Sequence, residues 1–129
     1  MAWQNRYRAM SARPSIAVPI IAVLAACTTP SASDRVTEAE LAAVAPLKAQ
    51  YAGVVSGFDI RTPDTLTIAL DLQRYIEMDD DAAAALQRHA LATWRSAWLA
   101  SHPHQKATLH LRFIDFIGRT VAVKVTRAR

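Results

Sequence analysis

Between Ala52 and Thr126 the spacing of apolar residues changes twice, from alternation to a helical stripe and back, and that switch limits the class of fold. Ala52, Val54, Phe58 and Ile60 share one parity, broken at Ser56, and Gly53 and Gly57 are candidate bulge positions. After a Thr62-Pro63-Asp64 turn, in which proline presets φ, Leu66, Ile68, Leu70 and Leu72 alternate with Thr65, Thr67, Ala69 and Asp71. Residues 82–101 then place Ala83, Leu86, Ala90, Trp94, Ala97 and Trp98 at three- and four-residue spacing, one apolar stripe on a long helix. The preceding acids Asp79-Asp80-Asp81 suit the positive end of that helix, and His102-Pro103 stops it.

The last segment reads as a hairpin. Leu109, Leu111 and Phe113 alternate with His110, Arg112 and Ile114; Val121, Val123 and Val125 alternate with Ala122, Lys124 and Thr126. Asp115-Phe116-Ile117-Gly118 between them suits a type I turn with Gly118 in the left-handed region. Upstream, Thr37 and Glu40 fit a capping box for a short helix through Leu41 and Val44, which Pro46 ends or kinks. The expectation is an α+β domain: a four-stranded, mainly antiparallel sheet of two hairpins, one main helix on one face, and a short N-terminal helix. Strand orders 2-1-3-4, 1-2-4-3 and 1-2-3-4 all remain open, the last making strands two and three parallel.

The N-terminal segment has a different character. Arg6, Arg8 and Arg13 with no acid form a basic region, and residues 14–26 are apolar and end in small residues, the pattern of a secretory signal peptide. The apolar run is shorter than the about 20 residues a spanning helix needs, and Pro19 interrupts it. Leu24-Ala25-Ala26-Cys27, ending in the only cysteine, resembles the lipobox of bacterial lipoproteins. The resemblance implies a diacylglyceryl group on the Cys27 thiol, cleavage between Ala26 and Cys27, and membrane attachment through that lipid. With Thr28 next, it further implies the outer membrane facing the periplasm in a Gram-negative source. On this reading residues 1–26 are a signal peptide, 27–34 a lipidated cysteine with a small polar tether, and 35–129 one α+β domain.

Removing the first 26 residues leaves 12 Lys plus Arg against 11 Asp plus Glu, so the basic pI belongs mostly to the leader and does not argue for nucleic acid. With one cysteine, no disulfide forms within the chain, and stability rests on packing.

Candidate chemistry is sparse, and no cofactor is implied. His102, His104 and His110 are weak candidate metal ligands, since imidazole suits Zn²⁺ or Cu²⁺, but loop polarity accounts for them. Capping accounts for Asp79-Asp80-Asp81, and core packing for Trp94 and Trp98. No G-x-S-x-G or other nucleophile motif is present, and Asp71, Glu77 and Asp115 have no spacing that marks a catalytic pair. The sheet face turned from the helix is expected to carry Tyr51, Val55, Thr65, Thr67, Ala69, Asp71, His110, Arg112, Ile114, Ala122, Lys124 and Thr126. Thr65, Thr67, His110, Arg112 and Lys124 are its candidate interaction residues, for an envelope protein or a second copy. The functional expectation is a membrane-anchored, non-enzymatic interaction or structural module; the alternative is a periplasmic ligand- or metal-binding module using the loop histidines.

Overall fold

A computed structural model describes residues 29–129. Helices α1 (Ala32–Val44) and α2 (Pro46–Gln50) lead into strands β1 (Val55–Thr62) and β2 (Thr65–Leu70); helices α3 (Leu72–Glu77) and α4 (Asp80–Ser101) follow, then strands β3 (Ala107–Ile114) and β4 (Thr120–Ala128). The α+β expectation holds: four strands form one sheet in the order β1-β2-β3-β4, with antiparallel hairpins at both sides and a parallel β2–β3 pair between them.

The direction of β3 follows from helix length. At 1.5 Å per residue the 22 residues of α4 span about 33 Å, enough to carry the chain back along the whole sheet. Strand β3 therefore starts at the same end as β2, and a strand re-entering beside its predecessor from that end runs parallel to it. Asp79 caps α4 as its position implies, Oδ1 accepting from Ala82 N–H at 2.7 Å. The stripe Leu86, Ala90, Trp94, Ala97 and Trp98 is buried against Leu66, Ile68, Leu70, Leu109, Leu111 and Phe113 in one core.

Two one-residue bulges decide which side chains reach that core. In β1, Val55 pairs with Leu70 but Gly57 with Ala69, so Ser56 is extra and Val55 joins Phe58 and Ile60 on the helix side. Val55 is thus a core residue, not part of the open face. In β4, Ile114 pairs with Thr120 but Phe113 with Ala122, so Val121 is extra. Without it Phe113, Leu111 and Leu109 would oppose Val121, Val123 and Val125, the arrangement expected from alternation. The extra residue reverses every later side chain. Ala122, Lys124 and Thr126 lie opposite the buried Phe113, Leu111 and Leu109, on the helix side, while Val123 and Val125 lie on the open side and are 53% and 55% exposed.

The N-terminal helix starts earlier than expected. Ser31 and Asp34, not Thr37 and Glu40, make the capping box: Asp34 N–H donates to Ser31 Oγ and Ser31 N–H to Asp34 Oδ2, both at 3.1 Å. Residues 32–34, placed in the tether by composition, are helical. Pro46 breaks the helix as expected, occupying the first turn of α2, where a missing N–H costs nothing. The six-residue α3, capped by Asp71 through Arg74 N–H at 3.1 Å, replaces the predicted last strand position Leu72.

Glu40, freed from capping, is 2% exposed. Its Oε1 lies 3.4 Å from His102 Nδ1, but that nitrogen donates to the Trp98 carbonyl at 3.0 Å, leaving Oε1 without a hydrogen bond. Burial pushes the Glu40 carboxyl above the usual carboxylate range, and His102 offsets part of the rise. The folded state then holds this proton more tightly than the unfolded chain does. The contribution to stability is full below the ordinary glutamate value and is lost as pH rises through the raised folded one. Glu40→Gln is expected to flatten that slope and stabilise the domain by about 1 kcal/mol at neutral pH. Urea unfolding from about pH 4 to pH 8 checks it; identical pH slopes in the two proteins would remove Glu40 as the source.

Candidate functional site

With α1 and α4 covering one side, the other side of the sheet is left open, and its residues fall into rows across the strands. Asp59, Thr67, Arg112 and Val123 form one row; Thr65, His110 and Val125 form the next. Four of the five candidate interaction residues, Thr65, Thr67, His110 and Arg112, are therefore brought together. Lys124 is not among them: the Val121 bulge turns it to the helix side, where it meets Ala84, Gln87, Arg88 and Leu91 of α4 around a cavity of about 150 Å³. Tyr51 also leaves the face, its hydroxyl lying 3.1 Å from His89 Nδ1 on α4.

Toward the β1 side the face dips into a shallow depression of about 310 Å³. Its floor is built of small residues, Gly57, Ala69 and Thr67, between Arg61 and Asp59 on one flank and Arg112, Ile114 and Gly118 on the other. A side chain at Gly57 would stand in open space, so the glycine itself deepens the floor. Arg61 Nε is paired with Asp59 Oδ2 at 2.7 Å, and Arg112 is held by Thr120 Oγ1 at 2.8 Å and the Gly118 carbonyl at 3.4 Å. The depression is thus lined by paired polar groups and small apolar ones.

The hairpin turn that holds Arg112 is closed by its own hydrogen bonds. Gly118 N–H donates to the Asp115 carbonyl at 3.0 Å, and Gly118 takes φ +85°, as a type I turn closing on a left-handed glycine requires. Asp115 is buried beneath it and accepts from Ile117 N–H, Arg119 N–H and Arg119 Nε at 3.1, 2.9 and 2.7 Å. Burial alone would raise its carboxyl; these donors more than compensate and hold it below the usual carboxylate range. Asp115 is a turn organiser.

The other candidates are dispersed. His102 stacks on Trp98 with ring centroids 4.3 Å apart, His104 is exposed in the loop, and His110 lies on the open sheet face. Among the described residues no group of three or more histidine, cysteine or acidic side chains is arranged to hold a metal ion. Asp71 caps α3 and Glu77 accepts from Gln73 Nε2 at 2.9 Å, so neither is joined to Asp115. Trp94 and Trp98 are core residues, 0% and 4% exposed. Cys27 and Ala26 lie outside the described residues. No helix among the described residues is long and apolar enough to cross a membrane.

Reading by alternation missed Val123 and Val125, because a bulge leaves no mark in side-chain parity. It also averaged away a segregation of charge. Residues 82–129 hold eight Lys and Arg against one acid, Asp115, while residues 29–81 hold four against ten. Comparison with known protein families, curated proteins and solved structures returns no match to this chain.

Proposed function

We propose that this protein is a lipid-anchored envelope protein whose domain binds another protein through the open face of its sheet, without catalysis. The observation carrying this reading is the pairing of exposed Val123 and Val125 with Arg112 and His110 on a face that no helix among the described residues covers. β-branched residues favour a strand even on a solvated face; two of them adjacent, bordered by Arg112 and His110, also supply the apolar centre and polar surround of a contact surface. Export and anchoring rest on the lipobox-like Leu24-Ala25-Ala26-Cys27.

The anchoring proposal has a geometric consequence. Ser31 caps α1 only four residues after Cys27, so the helix starts within about 14 Å of the lipid. Helix α1 meets α4 with Glu40 beside His102, at the α4 C-terminus, and the chain then reaches His89 at Tyr51, so α1 starts at the end of the sheet where β3 begins. The end of the sheet where β3 begins is consequently the one nearer the bilayer, with the Phe116–Ile117 turn at the far end.

Photocrosslinking in cells from Thr67 and Val123 tests the reading. One defined partner captured from both positions, and not from exposed Ser96 on α4, is the expected result. No capture from either face position would overturn it.

A further inference from the structure

The two edges of the sheet differ in a way that selects a ligand. β1 is interrupted by the Ser56 bulge and again between Asp59 and Thr62, and such irregularity blocks strand addition. β4 keeps one uninterrupted register from Ala122 to Ala128, and among the described residues its one neighbouring strand is β3. Near its end the Arg127 carbonyl is already occupied by Arg95 Nε at 2.9 Å, so the stretch free for pairing runs from Ala122 to Thr126.

The surroundings of this edge carry one sign of charge. Lys124, Arg127 and Arg129 lie on or just after β4, Arg88 and Arg95 on the overlying α4, all are exposed, and no acid follows Asp81 on α4 or lies on β4. A second copy pairing antiparallel through the same edge would set these cations against their own images, which opposes self-association there. We propose that the β4 edge takes up an extended segment of the partner protein as a fifth strand, and that this segment alternates acidic and aliphatic residues. The alternation follows from the pleat. Side chains of the added strand on the helix side meet Lys124 and Arg88, which pair with carboxylates at the rim of the cavity floored by Ala84 and Leu91. Those on the open side lie beside Val123 and Val125 and are aliphatic; Arg127 shares that side and ends the aliphatic row.

This inference rests on the interaction reading and specifies its partner, and the test separates the two. The full chain in mild non-ionic detergent is exposed to a seven-residue peptide alternating glutamate and valine, or to one with lysine in place of glutamate, and amide hydrogen exchange is followed. The expected result is at least tenfold slower exchange of the β4 amides that β3 leaves unbonded, with the glutamate peptide only. In the double variant Arg88→Glu, Lys124→Glu, both on exposed side chains, the preference is expected to reverse. Equal protection by both peptides, protection by neither, or binding of phosphatidylglycerol vesicles with no change at β4 would overturn the strand-addition proposal. If capture from Thr67 persists undiminished in the double variant, the strand proposal fails while the open-face reading stands; if capture is absent in the wild type, the reading itself fails.

Discussion

Trp94→Ala is expected to destabilise the domain by about 3–5 kcal/mol, the range for emptying a large aromatic site in a core that cannot collapse. Trp94 is fully buried in the middle of the α4 stripe, with Ala90 and Ala97 as its small neighbours along the helix. Those alanines let the helix lie close to the sheet, so the indole fills space that no adjacent side chain can reach. Against a total stability of about 5–15 kcal/mol for a domain of this size, the loss takes much of the margin. Trp94→Phe separates volume from polarity. The indole Nε1 is buried with no acceptor, so phenylalanine gives up some contact but also removes an unpaired donor. Its expected cost is below about 2 kcal/mol. Urea unfolding of both variants measures the difference, and a loss for phenylalanine as large as for alanine would overturn the expectation.

In Cys27→Ser, incorporation of labelled lipid is expected to fall to background and the uncut precursor to accumulate. The reasoning is chemical: thioether formation needs the sulfur nucleophile, and the lipobox cleavage that the sequence resembles acts on the lipid-modified residue. Two or more acyl chains hold a protein stably where one does not, so loss of the modification is also expected to release the domain from the membrane fraction if any other cleavage frees it. Metabolic labelling and fractionation read both effects. Normal processing of the serine variant would overturn the anchor and, with it, the placement of one end of the sheet near the membrane.

Much of the fold was legible because its signals are local. The α4 stripe, the Asp79 cap, the Pro46 break and the Gly118 turn each depend on residues within a few positions of one another, and each lies where spacing put it. Local patterns can also compete. Ser31–Asp34 and Thr37–Glu40 have the same capping spacing, and the first is the one used because the second places Glu40 on the α1 surface that packs near His102. The candidate face was legible on β2 and β3, where Thr65, Thr67, His110 and Arg112 fall as alternation requires, and illegible on β4.

By itself the sequence determined the type of each major element, the stripe that α4 buries, the closing hairpin turn and the export-like leader, because periods, caps and turn residues act over one or two turns of chain. Only the tertiary structure decided the parallel β2–β3 pair, the burial of Glu40 and the faces of β4. The physical reason is that a one-residue bulge is a small local event that reverses every side chain after it, so the parity of a strand is settled by what packs on it. At Val121 that choice set Ala122 and Ala128 beneath the helices, where they join the core, and left Val123 and Val125 on the open face beside a cationic edge.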